Sequence, residues 1–226
     1  MNKNRLKISI LLNIIIVVFT IFASIVMFTG FKFMHGAEPV LESTKFGAFR
    51  FFTVDSNAFM GIASFAFMIE EIKLLKGINK SINKKMYILK LMATTAVTIT
   101  FLTVFLYLGP ISKDGIPSMI QNSNLFFHLI IPVLSIITFV FFEKTNTISF
   151  KNTLFGIIPT LIYELYYLIN ILIHMENGKV SPLYDWYWFL QNGVWTAIIV
   201  APFMLIVSYL VSIVLWKINK TSSISF

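Results

Sequence analysis

Six apolar stretches, each close to the length that an α-helix needs to cross a bilayer, occupy most of this 226-residue chain. A helix spans a hydrocarbon core of about 30 Å with about 20 residues. The stretches are Ile8–Phe31, Phe49–Ile69, Met86–Leu108, Asn124–Phe142, Thr153–His174 and Asn192–Trp216. The alternation typical of transmembrane β-strands is absent, which favours helices. The sequence therefore predicts an all-α polytopic membrane protein, in which residues 1–226 form a single domain of six transmembrane helices.

Composition supports a bilayer as the solvent of this chain. Hydrophobic residues make up 57% of it and charged residues 12%, with a mean hydropathy of +0.82. Soluble domains are nearer half apolar and one quarter charged. Cysteine is absent, which excludes disulfides, thiolate nucleophiles and cysteine metal sites. No cluster of His and carboxylates has the spacing of a metal site, and we expect neither a metal nor another cofactor.

The cationic residues are distributed unevenly between the two sides of the predicted bundle. Most of the 18 Lys and Arg residues fall on the side that holds both termini, namely Lys3, Arg5, Lys7, Lys73, Lys76, Lys80, Lys84, Lys85, Lys90, Lys144, Lys151, Lys217 and Lys220. The positive-inside rule therefore places both termini in the cytoplasm. Glu70 and Glu71 are interpreted as a solvated helix end on that side. The net charge of +8 follows from this bias and points to anionic headgroups, with no nucleic acid as a partner.

The site is predicted from polar residues inside the apolar stretches, because burying a polar group in lipid is costly. Thr53 and His128 each lie four residues inside the predicted outer end of their stretch, roughly 6 Å deep at 1.5 Å per residue. Both stretches run in the same direction, so the hydroxyl and the imidazole can meet if the helices are neighbours. Such a pair has the chemistry of a nucleophile and its general base.

Both members of the pair also have an ordinary structural explanation. A threonine in a membrane helix usually bonds the carbonyl one turn earlier, as expected for the threonines between residues 94 and 103. A lone histidine near a helix end is often interfacial or structural. Pro132, one turn after His128, is expected to free the His128 carbonyl and open space beside the ring.

Four further residues are candidates for binding substrate or an oxyanion. Asn57 follows Thr53 by one turn, and Arg50 precedes it by three residues, which predicts a shared helical face. Glu164 lies near the middle of the fifth stretch, where a carboxyl group is either functional or a protonated structural residue. Asn170 lies closer to the depth of His128. With Tyr167, both are candidates for the unidentified group that orients the imidazole.

The polar motifs resemble those of a known family. The run Phe-Phe-Thr-x-x-Ser-Asn at 51–57, His-x-x-x-Pro at 128–132 and, more loosely, Pro-Leu-Tyr-Asp at 182–185 are similar to those of the androgen-induced-gene-product and androgen-dependent TFPI-regulating protein family. Its characterised members are intramembrane threonine hydrolases that cleave fatty acid esters of hydroxy fatty acids. The resemblance covers roughly residues 45–215 and implies Thr53 as the nucleophile and His128 as the base. Asp55 departs from the apolar residue expected there.

These observations predict an intramembrane lipid ester hydrolase whose substrate comes from the bilayer. The alternative is a non-enzymatic binder or transporter of lipid-like small molecules that uses the same polar pocket. A glutamate-type intramembrane protease is a weaker reading of Glu70 and Glu71, because it needs several intramembrane histidines and only His128 is available. The abundance of Ile, Lys, Asn and Phe is typical of AT-rich bacteria, which makes the bacterial cell membrane the expected location.

Overall fold

The computed structural model describes residues 3–34, 44–177, 179–181, 183–187 and 194–221, and within these ranges the chain is almost wholly helical. The helices are α1 (Lys3–Thr29), α2 (Phe52–Leu75), α3 (Lys84–Ile111), α4 (Gly115–Met119), α5 (Ser123–Phe142), α6 (Phe150–Ile173) and α7 (Val194–Thr221). A 3-10 helix (Lys45–Arg50) precedes α2, and α6 itself begins with a 3-10 segment (Phe150–Ile157). Strands β1 (Met175–Glu176) and β2 (Lys179–Val180) form an antiparallel hairpin after α6.

Glycines terminate the first two long helices. Gly30 has φ +69°, and hydrogen bonds run from its N–H to the Met27 carbonyl and from the Phe31 N–H to the Val26 carbonyl. This is the Schellman arrangement, which needs a left-handed residue that glycine adopts without strain. Gly77, with φ +73°, ends α2 in the same manner. The chain thus leaves each helix sharply and returns as an antiparallel neighbour.

Two of the long helices contain wider turns. In α3 the segment Val104–Leu108 is π-helical and is followed by Pro110. In α5 the segments Phe126–Ile130 and Thr138–Phe142 are π-helical, and Pro132 follows the first of them. Proline has no N–H to give to the carbonyl one turn earlier, which favours a local change in helical hydrogen bonding. A distortion at His128 is thereby confirmed as a π-turn, whereas the open space expected beside the ring stays a prediction.

The helices form one bundle with α3 at its centre. Helix α3 packs against α2, α5, α6 and α7, while α1 lies against α2 and α5. We call the end of the bundle at which α1 begins the basic end, and the opposite end, at which α2 begins, the aromatic end. The core is apolar along both halves, with Met60 and Phe127 toward the aromatic end and Phe67 and Phe139 toward the basic end.

Small residues allow two pairs of helices to approach closely. A Cβ at Gly61 of α2 would lie 2.7 Å from Thr20 Cγ2 of α1. A Cβ at Gly156 of α6 would overlap Ser212 Oγ of α7. Membrane helices associate through such contacts because lipid gives little hydrophobic drive for helix pairing. The outward faces of α6 and α7 expose large apolar side chains, including Ile162.

Within the residues that the structure describes, five helices are long and apolar enough to cross a membrane: α1, α3, α5, α6 and the Ile198–Thr221 part of α7. Helix α2 has 24 residues but is not among them, and it carries polar side chains that include Asp55, Asn57 and Glu71. The membrane class and the helical fold are thereby confirmed. A sixth span and a cytoplasmic location of both termini stay predictions. The predicted start of the last span, Asn192, lies outside the described residues.

Candidate functional site

Thr53 lies in the first turn of α2, at the aromatic end of the bundle. Phe51 is extended, and helical geometry begins at Phe52. The carbonyl one turn before Thr53 therefore belongs to a different segment, the 3-10 helix. Thr98 and Thr138 bond carbonyls within their own helices, at 2.7 and 2.6 Å. Among the described residues the hydroxyl of Thr53 has no hydrogen-bond partner, and neither have the buried hydroxyls of Thr20, Thr94 and Thr95, so the bond expected for the threonines between residues 94 and 103 is absent at Thr94 and Thr95.

Asn57 ties the first turns of α2 to α5. Its Nδ2 donates to the Thr53 carbonyl at 2.8 Å and to the Phe127 carbonyl at 3.0 Å. The side chain is fully buried, and its Oδ1 has no partner among the described residues. Phe127 precedes His128, so Asn57 fixes the backbone of both predicted catalytic residues. Its donors are occupied, and Asn57 is a brace between helices, not a free donor for an oxyanion.

His128 occupies the π-turn of α5 and is buried, with 8% of its surface exposed. Its Nδ1 is hydrogen-bonded to the carbonyl oxygen of Met119, the last residue of α4. A carbonyl only accepts, so Nδ1 carries the hydrogen in this contact and Nε2 of the neutral ring keeps its lone pair. The orienting group sought among Glu164, Asn170 and Tyr167 is therefore a backbone carbonyl. No residue type signals such a partner in sequence.

The segment that presents the Met119 carbonyl is held by its own polar contacts. Ser118 Oγ donates to the Gly115 carbonyl at 2.7 Å and lies 2.9 Å from Ser112 Oγ. Asn122, with φ +52°, accepts at Oδ1 from the backbone N–H groups of Phe33 and Met34, both at 2.8 Å. Helix α4 and the turn after it are thereby fixed to the chain that leaves α1.

The structure brings Thr53 and His128 to neighbouring elements but does not pair them directly. Asn57 spans from the Thr53 carbonyl to the residue before His128. Among the described residues no hydrogen bond joins the Thr53 hydroxyl to the imidazole. Thr53 and His128 thus lie near the ends of two adjacent helices that Asn57 connects, but they do not form an assembled pair of nucleophile and base.

Arg50 lies at the end of the 3-10 helix, and the extended Phe51 separates it from α2. The prediction that Arg50 and Thr53 share a helical face is therefore wrong, because the chain is not helical between them. The guanidinium stacks on aromatic rings, 4.9 Å from the Phe51 centroid and 5.9 Å from that of Trp186. Its Nε is buried without a partner among the described residues.

An aromatic cluster surrounds the start of α2 and consists of Phe51, Tyr163, Tyr167, Trp186 and Tyr187. The Tyr163 hydroxyl donates to the Arg50 carbonyl at 2.6 Å and accepts from Trp186 Nε1 at 3.1 Å. The Phe52 N–H donates to the Tyr187 hydroxyl at 3.1 Å, and the Tyr167 hydroxyl bonds the Asp185 carboxylate. Enclosure raises the pKa of Tyr187 to about 12, which keeps this phenol protonated at neutral pH.

Asn170 anchors the segment after α6. Its side-chain Nδ2 donates to the Tyr184 carbonyl at 2.8 Å. Its backbone carbonyl accepts from His174 Nδ1, also at 2.8 Å. The His174 ring stacks on Tyr184, with centroids 3.6 Å apart, beside a cavity of about 350 Å³ that also borders Glu176 and Lys179. Pro182 of the motif at 182–185 lies outside the described residues.

Glu164 is half-buried on α6, and its Oε1 has no partner within the described residues. Neither Glu164 nor Asn170 contacts His128 through a described hydrogen bond. Both therefore stay predictions as substrate-binding residues only, since the partner of His128 is the Met119 carbonyl.

Sequence reasoning missed a second polar group, toward the basic end. We call it the buried polar cluster: Asn13, Ser64, Glu71, Lys90 and Glu143, all fully buried. The interpretation of Glu70 and Glu71 as a solvated helix end holds only for Glu70, which pairs with Lys73 at 2.7 Å. Lys90, counted with the cations of the side that holds both termini, is enclosed in the bundle. The sequence signal for this cluster was Asn13, a lone amide within the apolar run of α1.

Comparisons with protein-family models, with curated proteins and with solved structures find no match to this chain. Among the described residues no group of three or more His, Cys, Asp or Glu side chains is placed to hold a metal ion.

Proposed function

We propose that this protein is an intramembrane lipid ester hydrolase with Thr53 as nucleophile and His128 as general base. The observation that carries the proposal is the bond between His128 Nδ1 and the Met119 carbonyl. It selects the tautomer whose Nε2 accepts a proton, which is what a general base requires. The threonine hydroxyl without a partner and the brace formed by Asn57 support the same assignment.

The reaction begins with attack of Thr53 Oγ on the ester carbonyl carbon. As the O–C bond forms, His128 Nε2 takes the hydroxyl proton, and it returns this proton to the alkoxide when the ester C–O bond breaks. Water then attacks the acyl-threonine, gives a proton to His128, and releases the carboxylic acid while Thr53 regains its hydrogen. The cycle needs no cofactor.

A backbone amide is the best candidate for stabilising the oxyanion. The N–H groups of the first helical turn have no partner within their own helix. Phe52 N–H is bonded to Tyr187, and Val54 N–H to the Phe51 carbonyl at 3.0 Å. The Thr53 N–H has no partner among the described residues. One such donor is worth about 3 kcal/mol of transition-state stabilisation.

The location of the pair fits esters of membrane lipids. An acyl ester resides near the headgroup boundary, and both residues lie within about a turn or two of a helix end. The resemblance at 51–57 and 128–132 names fatty acid esters of hydroxy fatty acids as the first substrates to test. With six spans and cytoplasmic termini, the site opens to the outer leaflet.

Purified protein in nanodiscs is expected to hydrolyse a fatty acid ester of a hydroxy fatty acid or a simple aryl ester. Thr53→Ala and His128→Ala each remove a group that forms or breaks a bond, so the rate should fall at least 100-fold. Thr53→Ser keeps the hydroxyl and should retain part of the activity, with less control of its rotamer.

Two matched controls separate chemistry from folding in this assay. Thr29→Ala removes a hydroxyl that bonds its own helix at 2.8 Å, and His174→Ala removes an imidazole outside the site. Both should keep wild-type rates. Full activity of Thr53→Ala with unchanged thermal stability would remove Thr53 from the mechanism.

A non-enzymatic lipid binder is the second candidate, favoured by the lack of a direct hydrogen bond between Thr53 and His128 in the described structure. In that case no ester is turned over in any lipid context. Thr53→Ala would then alter the affinity for a fluorescent fatty acid, with no product formed by wild-type protein either.

A further inference from the structure

Lys90 lies fully buried at the centre of the buried polar cluster. Its Nζ is 2.8 Å from Asn13 Oδ1, 3.0 Å from Ser64 Oγ and 3.1 Å from Glu143 Oε1. Three helices besides its own contribute these groups: α1, α2 and the end of α5. A buried ammonium with a carboxylate and two neutral acceptors is fully paired.

Glu71 is a second buried carboxyl group in the same cluster, but it has no cation of its own. Its Oε2 accepts from Asn13 Nδ2 at 3.1 Å, and the same Nδ2 donates to Glu143 Oε1 at 2.8 Å. The described residues offer no partner to Glu71 Oε1. Ser9 lies one turn before Asn13 on the buried face of α1, and its Oγ also lacks a described partner.

The other charged and titratable groups near the cluster do not supply the missing charge. Arg5 on α1 donates from Nε to the Phe142 carbonyl at 3.0 Å and lies beside Tyr87 of α3, a neutral phenol. Glu70 faces Lys73 and Asn79. The residue that α7 places next to Glu143 is the neutral Asn219.

We propose that the buried polar cluster is a proton-binding site, in which Glu71 carries one proton and donates it from Oε1 to Ser9 Oγ. This bond gives a partner to two of the three buried oxygens here that have none among the described residues, the third being Glu143 Oε2. It also makes the cluster neutral, with Lys90 and Glu143 as its ion pair, whereas two ionised carboxylates would leave an uncompensated charge in the bundle. The site lies toward the basic end and does not depend on the hydrolase proposal.

Loss of this proton has a structural consequence. It places a second negative charge beside Glu143, at the junction of α1, α2 and α5. At lower pH the folded protein holds a proton that the unfolded chain has already released, so the free energy of unfolding falls as pH rises until the folded site titrates. The junction is thus a pH-sensitive contact.

Infrared spectroscopy of protein in nanodiscs tests the bound proton directly. The difference spectrum of wild type minus Glu71→Gln at pH 7 should contain the C=O band of a protonated carboxylic acid. Glu70→Gln, one position away and paired with Lys73, should keep that band. Ser9→Ala should keep it but move it to higher frequency, because the hydrogen bond from the acid is lost.

Thermal unfolding between pH 5 and pH 10 gives an independent readout. Wild type and Glu70→Gln should lose melting temperature toward alkaline pH. Glu71→Gln, a permanent neutral copy of the protonated acid, should fold and show a flatter profile that exceeds wild type at high pH. An unfolded Glu71→Gln variant, an unchanged pH profile, or a difference spectrum without the acid band would each overturn the proposal. An unshifted band in Ser9→Ala would overturn the placement against Ser9.

Discussion

At the scale of single residues, the contacts of His128 show where sequence reasoning reaches its limit. Residue type and depth predict the pair of Thr53 and His128, and the structure places both on elements that Asn57 connects. The partner of the imidazole is the carbonyl of Met119, which every residue type provides equally. Lys90 and Glu71 were misplaced because each lies near a helix end in sequence, and only tertiary packing shows that they face inward.

Asn57→Ala should destabilise the protein and reduce its activity. The substitution leaves the buried Phe127 carbonyl without its donor, which costs about 1–3 kcal/mol. Thermal unfolding in nanodiscs measures this loss, and ester hydrolysis reports the displaced His128. Asn146→Ala at an exposed position is the control and should change neither quantity. Unaltered stability in Asn57→Ala would show that the brace is not needed.

Lys90→Met should be among the most destabilising single changes in the described chain. It leaves the fully buried Glu143 without its cation, which costs about 3–5 kcal/mol. The double variant Lys90→Met with Glu143→Gln should recover much of this loss, since no charge is then left unpaired. Lys84→Met, at an exposed position, is the control. Additive losses in the double-mutant cycle would contradict the pairing.

At the scale of elements, the apolar stretches predicted the long helices well because period and length are local properties. Helix ends shifted by several residues: α1 begins at Lys3 and α2 at Phe52. The extended Phe51 could not be foreseen, since no proline or glycine marks it, and it removed Arg50 from the face of Thr53. The π-turn at Phe126–Ile130 was signalled by Pro132.

Gly61→Ala should weaken the contact between α1 and α2. The new Cβ would meet Thr20 Cγ2 at 2.7 Å, and overpacking of this kind costs about 1–3 kcal/mol. Thr20→Ala in the same chain removes the nearest atom and should restore part of the melting temperature. Gly77→Ala cannot serve as a control because Gly77 has a positive φ. Ala58→Gly changes the same helix without introducing a clash and is the control. A neutral Gly61→Ala would contradict the close approach.

At the scale of the whole molecule, composition alone predicted a helical membrane protein, because a chain this apolar has few other stable solutions. Hydropathy defines the number of spans less sharply, since α2 carries Thr53 and Asn57 of the predicted site as well as Ser64 and Glu71 of the buried polar cluster. Such a helix is stable in a bilayer when α1 and α3 enclose its polar face, a condition that only the assembled bundle meets.

Reporter fusions test the predicted topology. A C-terminal reporter that is active only in the cytoplasm should give a signal, and one that is active only outside should not, because the cationic loops are retained inside. Moving the reporter to the loop at residue 113 should reverse both results. A signal from outside at the C-terminus would place the site containing Thr53 in the inner leaflet.

The most direct test of the account is covalent labelling of Thr53. Intact protein in nanodiscs is treated with an activated-ester probe, digested and sequenced by mass spectrometry. We expect one acylated residue, Thr53, with labelling lost in Thr53→Ala and strongly reduced in His128→Ala, whose base is missing. Equal labelling of wild type and Thr53→Ala, or folded wild-type protein that never reacts with the probe, would contradict it.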